Sequence, residues 1–86
     1  MLYRIFTEDI PENYDAITEQ IASQYEGFTI VKAKGYWRLQ PENSLVIEIV
    51  TVDEDAKVKS LAKAIKVVNN QEAVLVQKIE NHQWFV

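Results

Sequence analysis

The stretch Ser44 to Val52 (SLVIEIVTV) constrains this chain more than any other part of it. Its branched residues fit a pleated strand, and Glu48 is its only charge. Side chains alternate between the two faces of a strand. Leu45, Ile47 and Ile49 therefore point one way, and Val46, Glu48, Val50 and Val52 the other. The set carrying Glu48 fits an open face better, yet it also holds three valines.

The rest of the chain supplies the neighbours. Leu2 to Thr7 (LYRIFT) reads as a short strand. Glu8, Asp9 and Pro11 suit a helix entry, and Tyr14, Ile17, Ile21 and Tyr25 then line one helical face. That spacing predicts a helix over Pro11 to Glu26, stopped by Gly27. Phe28 to Lys34 returns to strand character and runs on to Leu39. Gln40-Pro41-Glu42-Asn43 is turn chemistry and predicts a hairpin with a loop of about four residues. Asp53-Glu54-Asp55 offers N-cap oxygens to a second helix, whose apolar face is Val58, Leu61, Ala62, Ile65 and Val68 and whose end is Asn69-Asn70. Ala73 to Ile79 is a final strand. The order β-α-β-β-α-β predicts an α+β, ferredoxin-like two-layer sandwich, expected as one domain over residues 1–86.

Composition narrows the function. The chain has 48% hydrophobic and 26% charged residues, the mixture of a globular protein. Its net charge of −4 argues against a nucleic-acid partner, which calls for a basic face. Without cysteine there is no disulfide framework, thiol nucleophile or zinc-thiolate site. No apolar run approaches the roughly 20 residues of a membrane span, and the start MLYRIFTED lacks a signal-peptide layout. The expectation is a small acidic cytoplasmic protein with no membrane association and no cofactor.

Two helices cover one face of a four-stranded sheet, so the other face meets water or a partner. The valines around Glu48 make that face apolar, and the second strand is equally two-sided, with Val31, Ala33 and Trp37 alternating with Ile30, Lys32, Lys34 and Tyr36. Self-association as a dimer or trimer, through the open face or the strand edges, is the economical solution. A patch of ~400 Å² contributes ~10 kcal/mol before association costs. The alternative is partial cover by lysine stems and by the tail Trp84-Phe85-Val86. That tail either extends the last strand, plugs the open face or exchanges with a neighbouring subunit.

The distinctive polar stretch is Gly35-Tyr36-Trp37-Arg38 with Glu42 and Ser44. A strand glycine marks a bulge or a close backbone approach, and Tyr36 and Trp37 point to opposite faces. Arg38 suits a pairing with Glu42 across the hairpin or bidentate binding of an anion; a hairpin merely anchored by one aromatic and one ion pair is the plainer reading. Gln71-Glu72 is the other polar pair. The candidate ligand-binding residues are Tyr36, Trp37, Arg38, Glu42, Gln71 and Glu72. No catalytic or metal-binding set is expected: His82 is the only histidine, the serines lack a nucleophile context, and Gly27 and Gly35 are isolated. Lys57, Lys59, Lys63 and Lys66 read as a solvated helix face.

Gly27-Phe28-Thr29-Ile30-Val31, then Gly35-Tyr36-Trp37-Arg38, then Glu42-x-Ser44, and finally Gln71-Glu72-Ala73-Val74-Leu75 resemble the pattern of a family of small bacterial domains of unknown function. The likeness runs from about Leu2 to Leu75, without the leader peptide of many relatives, and implies the fold rather than an activity. A looser similarity is to the CutA and PII-like proteins, which share the element order and, as trimers, bind ligands or metals between subunits. The cysteine and histidine associated with metal in CutA have no counterpart here, so metal binding is not implied.

The reading is a small oligomeric binding or regulatory module whose ligand or protein partner is open. Its alternatives are a cofactor-independent enzyme of the dimeric α+β-barrel type, for which Glu48, Asn70 and His82 are the available groups, and a small acidic adaptor or inhibitor.

Overall fold

A computed structural model describes residues 1–80, 82, 84 and 86. The elements are β1 (Leu2–Glu8), a 3₁₀ turn (Pro11–Asn13), α1 (Tyr14–Ala22), β2 (Thr29–Trp37), β3 (Gln40–Val50), α2 (Asp55–Val68) and β4 (Leu75–Ile79). The sheet has four strands in the order β2-β3-β1-β4, and every neighbouring pair is antiparallel. This is the ferredoxin-like arrangement expected of the element order.

The core lies on one side of the sheet. Tyr3 and Ile5 of β1 and Leu45, Ile47 and Ile49 of β3 are buried, as their alternation predicts. Ile17 and Ile21 of α1, Tyr25 just beyond it, and Val58, Leu61, Ala62 and Ile65 of α2 complete the core. Each fully buried isoleucine or leucine contributes roughly 1.5–3 kcal/mol relative to exposure. The opposite set, including Val46 and Glu48, is only partly covered, and Val31, Val50 and Leu75 are exposed. Arg4 and Glu48, cross-strand partners in β1 and β3, hold an ion pair at 2.8 Å on that face.

Four local expectations need correction. First, α1 ends at Ala22 rather than Glu26. The Ser23 hydroxyl donates to the Gln20 carbonyl at 2.8 Å, and the Gln24 N–H turns to Ile21, which closes the helix early. Second, Gly27 is not the left-handed stop, because positive φ occurs at Arg38, Leu39 and Asn70 among the described residues. Third, the hairpin loop is Arg38-Leu39, with φ of 51° and 66°, the signature of a two-residue type I′ turn. Gln40-Pro41-Glu42-Asn43 belongs to β3, paired with Trp37, Tyr36, Gly35 and Lys34. Pro41 is tolerated because β1 ends opposite Ser44, so no strand lies beside it on the side away from β2. Fourth, Asp53 and Asp55 do not cap α2. Its N-cap is Glu54, without a side-chain cap bond, and the two aspartates face Tyr3 and Lys78 instead.

The other end of α2 follows its sequence signal. Asn70 adopts φ 51° just beyond the helix, with the Asn70 N–H on the Val67 carbonyl and the Gln71 N–H on the Lys66 carbonyl. This is a Schellman stop with asparagine in the place glycine usually takes. At the C-terminus β4 ends at Ile79, and Trp84 and Val86 lie outside any strand. Trp84 is 81% exposed, so it does not plug the open face; Phe85 lies outside the described residues. No helix among the described residues is long and apolar enough to cross a membrane.

Candidate functional site

Beyond Glu8 and Ser44, the last pair that β1 makes with β3, the Asp9 N–H still reaches the Asn43 carbonyl at 2.8 Å, and the β2–β3 hairpin then continues alone through Gly35–Glu42, Tyr36–Pro41 and Trp37–Gln40. It forms an arm standing past the end of the sheet. Tyr36 is 72% and Trp37 67% exposed, so neither anchors a core. Between the arm and the entry to β4 lies a cleft of about 610 Å³. Gly35, Tyr36, Trp37, Glu42 and Ser44 form its arm side, Phe6, Thr7 and Glu8 come from β1, and Gln71 with Ala73–Leu75 closes the far side. Gly35 keeps the arm wall thin, since an added Cβ would stand 2.8 Å from Ser44 Oγ.

The cleft rests on a buried polar network. Asn69 Nδ2 donates to Thr7 Oγ1 at 2.9 Å, to the Glu8 carbonyl at 2.9 Å and to Gln71 Oε1 at 3.2 Å. Gln71 Oε1 also accepts from the Thr7 hydroxyl and the Glu8 N–H. Asn13 Nδ2 donates to Asn69 Oδ1 at 3.1 Å and so ties in the turn before α1. With its oxygen engaged, Gln71 has only its amide hydrogens to offer a ligand.

The six residues singled out from the sequence therefore divide. Tyr36, Trp37, Glu42 and Gln71 line this cleft. Arg38 sits in the turn with its guanidinium 5.6 Å from the centre of the Trp37 ring, over its face. It forms no ion pair with Glu42 among the described residues, which overturns the cross-hairpin pairing. The register explains this, because Glu42 faces Gly35 while Arg38 belongs to the turn. Glu72 faces a different groove, beside Lys59, Lys63 and Lys66 of α2. Phe6, Thr7, Glu8 and Asn69 were missed as site residues, since each reads locally as ordinary strand or helix end.

The charge of the cleft is one-sided. Glu8 and Glu42 bring carboxylates, Phe6, Tyr36 and Trp37 bring rings, and no lysine or arginine lines it. Such walls favour a ligand that carries a ring and a positive charge. No cluster of three or more His, Cys, Asp or Glu side chains placed to hold a metal occurs among the described residues. Glu48 is engaged by Arg4, Asn70 forms the helix stop, and neither they nor His82 line the cleft.

A second polar group lies at the start of α2. The Tyr3 hydroxyl donates to Asp55 Oδ1 at 2.6 Å and accepts the Glu54 N–H at 3.1 Å, while Lys78 Nζ stands 2.9 Å from Asp53 Oδ1 and 3.1 Å from Asp55 Oδ1. The Tyr3 hydroxyl and then Lys78 draw the Asp55 carboxyl down to about 2. Burial, then the bond to Asp55, pushes the Tyr3 phenol up, and the two aspartates push Lys78 up.

No family model matches the chain, and no curated protein matches it by sequence. Solved structures do share its fold. A phage SAM lyase in its apo state superposes with a TM-score of 0.69 at 22% identity, covering 99% of this chain and 91% of that one. A DUF3240 family protein from Shewanella baltica OS155 gives 0.66 at 13% identity, covering 99% and 96%. At these identities the likeness is one of fold: a small α+β domain whose neighbours include a family of unknown function.

Proposed function

We propose that the chain is a small ligand-binding module that works as a self-associated assembly, with the cleft beside the hairpin arm as its ligand site. The observation that carries the reading is the wall composition, three aromatic rings and two carboxylates with no basic side chain. The ligand that fits is a small molecule with a planar ring and a cationic centre. Self-association is supported by the open face, where Val31, Val50 and Leu75 are exposed around the Arg4–Glu48 pair. Val31, Val46, Phe6 and Leu75 stand side by side across the four strands, and apolar patches beyond a few hundred Å² are uncommon on a monomer.

A second reading, an enzyme, is favoured by one observation. A neighbour in fold is a SAM lyase, and SAM (S-adenosylmethionine) combines an adenine ring with a sulfonium cation, which is the chemistry the cleft walls fit. Fold likeness alone is a weak warrant for activity. The groups that would make this cleft catalytic are Glu42 and Glu8.

Calorimetric titration with SAM and with S-adenosylhomocysteine, which lacks the sulfonium charge, tests both readings. Tighter binding of SAM, lost in Glu42→Gln and Trp37→Ala with the fold intact, supports the site; consumption of SAM followed by chromatography turns the module into an enzyme. Equal binding of both compounds, or binding indifferent to the two substitutions, overturns the cleft assignment. Light scattering that finds only a monomer at micromolar concentration overturns the assembly.

A further inference from the structure

Among the described residues the sheet ends at β4, which has β1 on one side and no strand on the other. Beside that free edge α2 presents Lys59, Ala62, Lys63 and Lys66, positions that recur on one helical face. Together with Glu72, Ala73, Val74 and Val76 they line a groove of about 300 Å³. Its floor is apolar, with Ala62 buried and Val74 and Val76 half-buried.

The lysines here differ from the other cations of the chain. Arg4 pairs with Glu48, Lys32 with Asp9, Lys57 with Glu54, and Lys78 with Asp53 and Asp55. Lys34 reaches the Asn43 amide oxygen, and Arg38 lies over Trp37. Among the described residues Lys59, Lys63 and Lys66 form no ion pair, and all three border the same groove. In a chain with a net charge of −4, three cations against one glutamate make a local reversal of sign. The other sheet edge, β2, has its lysines engaged by this chain's own residues.

We propose that this groove docks an extended acidic peptide segment of a partner protein, which pairs its backbone with the free edge of β4 and sets its carboxylates against Lys59, Lys63 and Lys66. An unpaired edge supplies backbone donors and acceptors for strand addition. The spacing suits it: Lys59 to Lys66 spans roughly 10 Å along the helix, and alternate side chains of a strand stand about 7 Å apart. Two successive helix-facing acids therefore cover the lysine row. The small side chain of Ala62 leaves room for the acids on the helix side, over Val74 and Val76, while the alternate residues face the open side of the sheet, where Leu75 is exposed. This surface is separate from the ligand cleft, and its fate is independent of the reading given for that cleft.

The test titrates the whole chain into a fluorescein-labelled decapeptide of alternating threonine and glutamate and follows anisotropy. The expected result is saturable binding that tightens at low salt, weakens at least tenfold in Lys59→Glu/Lys63→Glu/Lys66→Glu, and slows hydrogen exchange at the Leu75–Ile79 amides. Should the reversed-charge protein fail to fold, Lys59→Gln/Lys63→Gln/Lys66→Gln serves, with a smaller but clear loss expected. A peptide methylated on alternate backbone nitrogens, unable to pair as a strand, is expected to lose at least tenfold. Absence of saturable binding overturns the proposal. So does equal binding by the lysine variants, equal binding of the methylated peptide, or tighter binding of a single-stranded oligonucleotide than of the peptide.

Discussion

Asn69, the residue that ends α2, donates its side-chain N–H to the hydroxyl of Thr7 in β1 at 2.9 Å, across 62 positions of sequence. Both side chains are buried, so neither can exchange the other for water. Removing one partner leaves the other unsatisfied at a cost of ~1–3 kcal/mol. Because Asn69 also holds the Glu8 carbonyl and Gln71 Oε1, Asn69→Ala is expected to destabilise the fold by about 2–3 kcal/mol in urea unfolding. Thr7→Val is expected to cost less, since it leaves the Glu8 and Gln71 acceptors with Asn69. A loss below about 0.5 kcal/mol for Asn69→Ala would show that the network is not structural.

The turn that closes the hairpin arm places leucine at φ 66°, with 93% of its surface exposed. A left-handed conformation costs a bulky L-residue roughly 1–2 kcal/mol, whereas glycine adopts it freely. Leu39→Gly is therefore expected to raise stability by about 0.5–1 kcal/mol after the added freedom of the unfolded chain is deducted. Chemical denaturation measures this directly, and a loss of stability would mean that the leucine side chain makes a contact outweighing the strain.

The Tyr3–Asp55–Lys78 group links the open end of β1 to the start of α2, and it has a sign in pH. Asp55 titrates in the folded chain at about 2, below its ordinary 3.8. A depressed carboxylate contributes stability above the unfolded value, which is lost as pH falls from about 4 through 2. Tyr3 moves the other way: its raised phenol adds stability that persists below pH 10 and is lost as pH climbs through the folded value. Asp55→Asn is expected to flatten the acid limb of a urea-midpoint profile between pH 5 and pH 2 while leaving a difference at neutral pH. An acid limb identical to that of the parent chain would place the titrating carboxylate elsewhere.

The alternation of Leu45, Ile47 and Ile49 and the spacing of Val58, Leu61, Ala62 and Ile65 were legible because a strand or helix against one core repeats its apolar positions at a fixed period. The hairpin turn was not. Gln40-Pro41-Glu42-Asn43 has every local mark of a turn, yet the strand register places Arg38-Leu39 there, two residues with no turn signature. Tertiary pairing overrode local preference, and Pro41 escaped penalty only because β1 had already ended. Half of the site was legible for a similar reason. Tyr36, Trp37 and Glu42 stood out as polar and aromatic residues crowded into one strand turn. Thr7 and Phe6 read as plain strand, and only contact across some sixty positions brings Thr7 to Gln71 and puts Phe6 in the same cleft. Glu72 parted from Gln71 because the chain turns there from the helix stop into β4, sending neighbours to opposite sides.

Tyr25 packs its ring in the core, and Lys57 Nζ lies 4.5 Å from the ring centre, over its face. Its hydroxyl, however, is buried without a hydrogen-bond partner among the described residues, and burial pushes its pKa up. A buried hydroxyl without a partner costs roughly 1–3 kcal/mol relative to water. The ring contacts and the cation above it do not depend on the oxygen, so Tyr25→Phe keeps both and removes the penalty. The expected outcome is a gain of about 1 kcal/mol, or a rise of roughly 4–8 °C in Tm for a chain of this size. Tyr25→Ala is expected to lose about 3–5 kcal/mol, because it removes a large ring from the core. If Tyr25→Phe instead destabilises by more than about 1 kcal/mol, the hydroxyl has a partner in solution, and a bound water or a second copy of the chain is then the group to look for beside it.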